Sequence, residues 1–496
     1  MRTGLPGTVL RCFPDAWLVG GAVRDAALGR AFSDLDLAVP PSPDFERRAA
    51  KLAKALDAAL FPLDEENRVF RLTGRGPEPL QIDIAPFQGA GLGADLRRRD
   101  FTVNAMALKL EPGTPLKASA KTGAFSLKLD RKAVTDPCGG LKDAAARRLR
   151  PCSPGVFRED PLRLLRAFRL ASELGFSLPP ALLKAVKAEA ALITGSAPER
   201  IREELLRLLE NPLSHAWLAL LHKAGLLCAV FPELAPLEKC AVVYYGRGGA
   251  LKHTFLVVER MDELCANMPA WLPGHKKIRE RLPEPRLLKL AALLHDVAKP
   301  PKAAMIDGRL RFFGHEEFGA VMAEKIMERL RFSRDEIRLV AKIIGMHLRP
   351  GNLASNDFIS DRAMFRFFRS AGEHTLALLA LSWADHSSYV SAAQLQKLRP
   401  KLEDEPAPLP PGTAYNSPKK TLRFIQALHL LIRVFLKKDP NRSAARLADG
   451  RDVIKILGIP EGPKVGEILE RLRLLQFEGR VKTRDQALKA IKGLGC

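Results

Sequence analysis

The chain has 496 residues, 47% of them hydrophobic, and its mean hydropathy is near zero, so it folds into several globular domains and is not intrinsically disordered. Its 79 Lys and Arg against 56 Asp and Glu leave a formal charge of +23 and a pI near 9.9, which steers it toward a polyanion, with nucleic acid ahead of a membrane surface. No apolar run is long enough to span a bilayer, and Ala427–Leu436 is interrupted by His429 and Arg433.

Pro6, Arg11 and Asp15 break up the first residues, which predicts no secretory leader. Trp17 to Gly21 reads as a strand ending in a turn, Ala22 to Leu28 as a short helix, and Ser33 to Val39 alternates as a half-buried strand does. A helix is expected from Phe45 to Leu60, then strands at Val69–Leu72 and Leu80–Ala85. Beyond about residue 140 helical periodicity dominates, with Pro-rich breaks at 268–286 and 405–418. The expected fold class is α+β: a small mixed-sheet head (1–135), a helical neck (136–238), a metal-binding helical domain (239–400), and a linker with a helical tail (401–496). The seven cysteines form no CxxC pair and suit a reducing cytoplasm.

Asp34 and Asp36 flank Leu35, so on a strand both carboxylates point to one face. Two such anions repel unless a cation lies between them, and oxygen ligands of this kind favour Mg²⁺. An Asp-x-Asp alone is also compatible with an ordinary strand surface. Just upstream, however, Gly20-Gly21 closes a strand and opens a helix carrying Arg24, an arrangement whose backbone N–H groups can cradle phosphate. A phosphate nest followed by a carboxylate pair is what nucleotidyl transfer requires.

The segments Leu18-Val-Gly-Gly-Ala-Val-Arg-Asp25, Leu28-Gly-Arg30 and Asp34-Leu-Asp36 resemble the signature of class II tRNA nucleotidyltransferases and bacterial poly(A) polymerases. Further motifs follow in the same order: Asp95 to Ala107, Asp136-Pro-Cys-Gly-Gly140, Glu159 to Arg169, and Glu199-Arg-Ile-Arg-Glu-Glu204. The resemblance implies Asp34 and Asp36 as catalytic Mg²⁺ ligands, with Gly20, Gly21, Arg24, Arg99, Asp100, Asn104, Asp160, Arg163, Arg166 and Arg169 around the nucleotide. It implies CTP and ATP as substrates and a tRNA 3′ end as acceptor.

Asp160, Arg163, Arg166 and Arg169 recur every third residue and would form one stripe if all four lay on a helix. A carboxylate accepts where a guanidinium donates. Cytosine and adenine present an amine beside a ring-nitrogen acceptor, whereas uracil and guanine reverse that order, so an Asp160–Arg163 pair complements C and A. One stretch departs from the family pattern: Phe61 to Arg71 lacks the Gly-Thr expected on its strand, which leaves the product open among CCA, CC, A and poly(A). Asp83, in Gln81-Ile-Asp-Ile84, is either a third active-site carboxylate or a plain strand-surface residue.

His295-Asp296 ends an amphipathic helix, Leu287 to Leu294. With His253, His315, His347 and Asp385, the order resembles the ligand set of HD phosphohydrolases. Imidazoles with carboxylates suit Mn²⁺, Fe, Ni²⁺ or Mg²⁺. The resemblance implies a phosphatase or cyclic phosphodiesterase acting on RNA ends; a metal-bound but idle domain is the alternative. In the tail, Thr483 and Gln486 form a capping-box pattern. Lys464, Arg471, Arg473, Arg480 and Lys482 there either track a tRNA backbone or form a solvated helix face.

Overall fold

The computed structural model describes residues 4–75, 80–119, 124–266, 268, 272–356, 358–406, 408–410, 412–413, 417–439 and 447–495. Parts of the two predicted Pro-rich breaks, at 269–271, 407, 411 and 414–416, lie outside the described residues. The chain divides into two compact units, 1–197 with 223–229, and 198–222 with 230–496.

The first unit opens with helix α1 (Leu5–Cys12), strand β1 (Trp17–Val19), helix α2 (Gly21–Ala27), strand β2 (Asp34–Val39) and helix α3 (Phe45–Ala55). The expected helix to Leu60 stops short. Asp57 takes a left-handed φ of 50°, and Ala58–Asp64 forms strand β3, with Leu60 opposite Leu72. Tertiary pairing overrides helix propensity here. Strands β4 (Val69–Gly74), β5 (Gln81–Pro86) and β6 (Ala107–Lys109), a small hairpin of β7 (Leu116–Ala118) and β8 (Phe125–Leu127), and β9 (Val134–Thr135) follow. The seven-stranded sheet has the order β3-β4-β5-β2-β1-β6-β9, with β2 and β5 parallel and its other pairs antiparallel. Leu35 and Leu37 on β2 are buried in the same core as Phe13, Phe45 and Ile82, which turns Asp34 and Asp36 to the opposite face.

Helix α4 (Leu92–Arg97) and a 3₁₀ turn at Thr102–Asn104 precede helix α5 (Gly140–Ala145). Asp136 accepts from the N–H groups of Gly140 at 2.7 Å and Leu141 at 2.9 Å, satisfying two orphan donors at the start of α5. A Cβ on Gly140 would overlap the Thr102 carbonyl, so the glycine lets α5 lie directly against the turn that carries Asn104. Helices α6 (Val156–Glu159) and α7 (Arg163–Leu174) follow. Asp160 is not on the helix as expected: it is extended, at φ −147° and ψ 101°, because the residue before Pro161 is pushed out of the α region.

Among the described residues the second unit is helical apart from one hairpin. Its longest described helices are Gly249–Ala266, His315–Arg329, Pro418–Lys438 and Pro463–Phe477, and Pro285–Leu294 ends at His295. The hairpin joins strands β10 (Ala304–Ile306) and β11 (Arg309–Arg311) through Asp307 and Gly308, at φ of 49° and 69°. Positive φ at both central residues is the turn that Asp-Gly favours, a signal the helical reading of this region passed over. In the tail, Thr483 and Gln486 do form a capping box on Arg484–Leu494. Among the described residues no helix is long and apolar enough to cross a membrane, and the six described cysteines are free thiols.

Candidate active site and metal centre

In the head, parallel register sets Asp83 of β5 beside Asp36 of β2, and antiparallel register sets Arg71 of β4 beside Asp83. Asp34, Asp36 and Asp83 thus share one face of the sheet. Arg71 grips Asp83 through two bonds of 2.7 Å. Burial pushes the Asp36 carboxyl above its ordinary range; Arg99 works against this, and Asp83 and Asp34 add to it. A half-buried carboxylate repelled by two others is a site for a cation.

Gly20 lies where a Cβ would sit 3.0 Å from both the Arg99 guanidinium and the Asp36 carboxylate, and its φ is 71°. The backbone is therefore pressed close to the place where a phosphate would meet these groups. Arg24, one turn into α2, donates to Asp25 at 2.9 Å and to Asn104 at 2.7 Å. Asn104 donates to Asp100 at 3.1 Å, and Arg166 of α7 reaches Asp100 at 2.7 Å. Burial works to raise the Asp100 pKa, but Arg166, Asn104 and the Phe101 N–H outweigh it and hold the carboxyl below its ordinary value. One polar chain, Arg24–Asn104–Asp100–Arg166, thus ties the phosphate turn to α7.

The structure brings most of the sequence-predicted head residues together: Gly20, Gly21, Arg24, Asp36, Arg99, Asp100, Asn104 and Arg166. Asp34 is exposed at the mouth of the same face. Asp160 accepts from the Leu162 N–H at 3.2 Å, while Arg163 donates to Glu159 at 3.0 Å and to the carbonyl of Arg98 at 3.2 Å. Arg169 is buried and bonded to Glu173 at 2.7 Å, one turn further along α7. Sequence reasoning missed Arg71, whose signal was its position in the stretch that departs from the family pattern.

In the second unit, all six predicted metal-type residues converge and all are buried. His253, His295 and Asp385 offer ligand atoms within 4.8 Å of one another, and so do Asp296, His315 and His347. Asp296 lies between the two sets, at 3.2 Å from His295, 3.5 Å from His315 and 3.7 Å from His253. The Nδ1 atoms of His295, His315 and His347 lie 2.7–2.8 Å from the carbonyls of Ala292, Phe312 and Ile344. A neutral imidazole that donates through Nδ1 presents a lone pair at Nε2, and these Nε2 atoms face carboxylate oxygens. The Nε2 atoms of His253, His295 and His315, with Asp385 Oδ1, are buried without a hydrogen-bond partner. Acceptors facing acceptors in a dry cluster fit a divalent metal.

Burial, with the charges of His295 and His315, pushes His347 down to about 3. Burial works to raise Asp296, but His295 and Lys299 hold it well below the carboxylate range. Lys299 lies 2.5 Å from Asp296 and donates to the Tyr245 hydroxyl at 2.8 Å. Tyr245 in turn stacks on His253, with centroids 4.6 Å apart. Lys299 and Tyr245 were not singled out in the sequence. A Lys one helical turn after Asp296 was the available signal for the first.

Three family descriptions match the chain: the poly A polymerase head domain at 16–92, the probable RNA and SrmB-binding site of polymerase A at 175–238, and the HD domain at 250–389. An A-adding tRNA nucleotidyltransferase from Deinococcus radiodurans is 30% identical over 495 residues, covering 96% of this chain and 94% of the relative. A CC-adding tRNA nucleotidyltransferase from Thermus thermophilus is 32% identical over 487 residues, covering 95% and 92%. Among solved structures, a CCA-adding enzyme in complex with CTP shares the fold, with a TM-score of 0.60 and 19% identity over 96% of this chain and 90% of that one.

Proposed function

The chain belongs to the tRNA nucleotidyltransferase family, and from that premise we propose that it adds C and A to tRNA 3′ ends from CTP and ATP, without a template, in the cytoplasm. The observation that carries this reading is the Asp34–Asp36–Asp83 face with Gly20 and Arg99 pressed against it. In the reaction the RNA 3′-hydroxyl oxygen attacks the α-phosphate, the bond to the β-phosphate breaks, and pyrophosphate leaves. Asp34 and Asp36 would hold Mg²⁺, which would supply charge neutralisation for the triphosphate and the attacking oxygen. The Gly20–Gly21 turn and Arg24 hold the phosphates and Arg99 and Arg166 offset their charge, with Asn104 steadying Arg24, Asp95 steadying Arg99 and Asp100 steadying Arg166. Asp160 and Arg163 turn to the base, accepting from the C or A amine and donating to its ring nitrogen.

Four functional regions serve this reading: a catalytic head at 1–135, a base-selecting neck at 136–238, an HD domain at 239–400 and an RNA-binding tail at 401–496. A metal of the Mn²⁺, Fe, Ni²⁺ or Mg²⁺ type in the HD cluster would supply Lewis acidity for phosphoester hydrolysis. His253, His295, Asp296, His315, His347 and Asp385 would hold it, and Lys299 balances the charge on Asp296. A phosphohydrolase acting on RNA ends is the activity this cluster supports.

A second product reading, CC-only or A-only addition, is favoured by one specific feature. Arg71 occupies the strand where the family pattern carries Gly-Thr, and relatives matching nearly the whole chain have single-step names. Incubating the purified protein with tRNA lacking its last three, two or one nucleotides, each with single NTPs and with CTP plus ATP, separates the readings. A discrete CCA end supports complete addition, whereas arrest after CC, or extension only of the tRNA lacking its final A, supports the partial ones.

A further inference from the structure

The exposed large side chains of the second unit concentrate where three segments meet. Val243 (75% exposed) and Tyr244 (45%) lie on the helical turn Val242–Tyr245, Met305 (68%) on β10, and Phe313 (71%) just before the helix His315–Arg329. Phe318 and Val321 add an exposed i, i+3 pair on that helix. The Tyr244 hydroxyl donates to the carbonyl of Leu310 at 2.7 Å, which joins the first segment to the hairpin.

Each aromatic residue of this surface is one step from the metal-type cluster. Tyr244 precedes Tyr245, which stacks on His253 and accepts from Lys299. Phe313 follows Phe312, whose carbonyl lies 2.7 Å from His315 Nδ1. Phe318 is one turn beyond His315, and the Lys302 ammonium lies over its ring at 4.9 Å. The segments that carry this surface are thus the ones that carry Tyr245, Phe312 and His315 of the cluster and its surround. Its cations lie on the hairpin and the segment before it, where Lys302, Arg309 and Arg311 stand against Asp307, while Glu316 and Glu317 put two carboxylates on the helix side.

Exposed aromatic faces interleaved with cations, in a chain of charge +23, match single-stranded nucleic acid. Bases stack on the rings while lysine and arginine follow the phosphates. A protein partner would not need the cations. A patch this apolar left bare on a free surface would favour self-association.

We propose that Phe313, with Phe318 and Tyr244, is a base-stacking platform at the mouth of the HD cluster, and that it holds the end of a single-stranded RNA there. The platform rests on the phosphohydrolase reading for its catalytic consequence but not for its binding.

The test uses the full-length chain and two measurements. In the first, metal-free Phe313→Trp protein is titrated with a short oligoribonucleotide, and the emission gained over wild type is followed; stacking quenches it saturably. Absence of quenching overturns the platform. In the second, metal-loaded wild type, Phe313→Ala and Phe313→Trp are given an oligoribonucleotide 3′-phosphate and a small aryl phosphate. Phe313→Ala should raise KM for the oligonucleotide about 5- to 150-fold, the range for one lost stacked base. Turnover of the aryl phosphate should hold, and Phe313→Trp should restore the oligonucleotide KM. Hydrolysis of both substrates by wild type with an unchanged KM in Phe313→Ala overturns the inference and leaves the phosphohydrolase reading intact. Quenching without hydrolysis by any form does the opposite. If sedimentation shows wild type to be a dimer and Phe313→Ala a monomer, with no quenching by RNA, the surface belongs to a second copy of the chain.

Discussion

Arg71 and Asp83 face each other across neighbouring strands and share two hydrogen bonds of 2.7 Å, while Asp83 is the register partner of Asp36 on its other side. Asp83 therefore stands between a guanidinium and the two catalytic-type carboxylates. Its charge is neutralised by a side chain of the protein, and the Arg71 guanidinium is raised in pKa chiefly by Asp83, with smaller contributions from Asp34 and Asp36.

This arrangement predicts the effect of Arg71→Gln. Removing one cation beside three carboxylates strengthens the field that attracts Mg²⁺. At a separation of several ångströms and an intermediate effective dielectric, the gain is about 1 kcal/mol, or about 5-fold. The apparent Mg²⁺ constant for nucleotide addition should fall by that factor. A rise in the constant would show instead that Arg71 helps to build the metal site.

The two catalytic-type clusters lie in different compact units and should fail independently. Asp36→Asn removes a metal ligand and should cut nucleotide addition at least about 1,000-fold, the loss of several kcal/mol of charge stabilisation. Phosphohydrolysis should be unchanged. Asp296→Ala should do the reverse, and it should also abolish the rise in Tm that a divalent metal gives the wild type, worth about 2.7 kcal/mol at a hundred times Kd. Loss of both activities in either variant would sink the two-site reading.

Legibility in the sequence followed how local the determining physics is. Asp34 and Asp36 could be placed on one face because strand alternation is a property of consecutive residues. The six metal-type residues could be chosen by type and order, but nothing local told that Asp296 lies between the two sets, since that depends on helix packing. The strand at Ala58–Asp64 escaped because Leu60 is held by Leu72, a partner across a hairpin. Two misses were avoidable. Asp160 precedes Pro161, and Asp307-Gly308 is a hairpin turn, so both departures from a helix were written in dipeptides.

Displacement of Asp160 from α7 bears on nucleotide choice. Being extended and preceding the helix, it can turn to a base while Arg163 at the first helical position is steadied by Glu159 and the Arg98 carbonyl. Asp160→Ala should therefore lower kcat/KM for CTP and ATP about 5- to 150-fold, the cost of one unmade hydrogen bond to a desolvated group. UTP and GTP should be affected far less, so discrimination narrows. Equal losses for all four nucleotides would assign Asp160 to folding of the neck.

His429 gives the second unit a defined acid sensitivity. It lies fully buried on the helix Pro418–Lys438, with the Glu403 carboxylate 3.4 Å from Nδ1. Burial, and then the Arg433 charge, pushes its pKa from 6.5 down to about 4. The unfolded chain therefore binds a proton between these values that the folded chain refuses. This contribution to stability is complete above about pH 6.5 and is lost as pH falls toward 4. At pH 5 the loss is about 2 kcal/mol, from about 1.5 units at 1.36 kcal/mol each. In urea unfolding followed at pH 7 and pH 5, wild type should lose about that much more stability than His429→Gln. Equal losses in the two proteins would mean that His429 takes up its proton in the folded state, with Glu403 as the compensating anion.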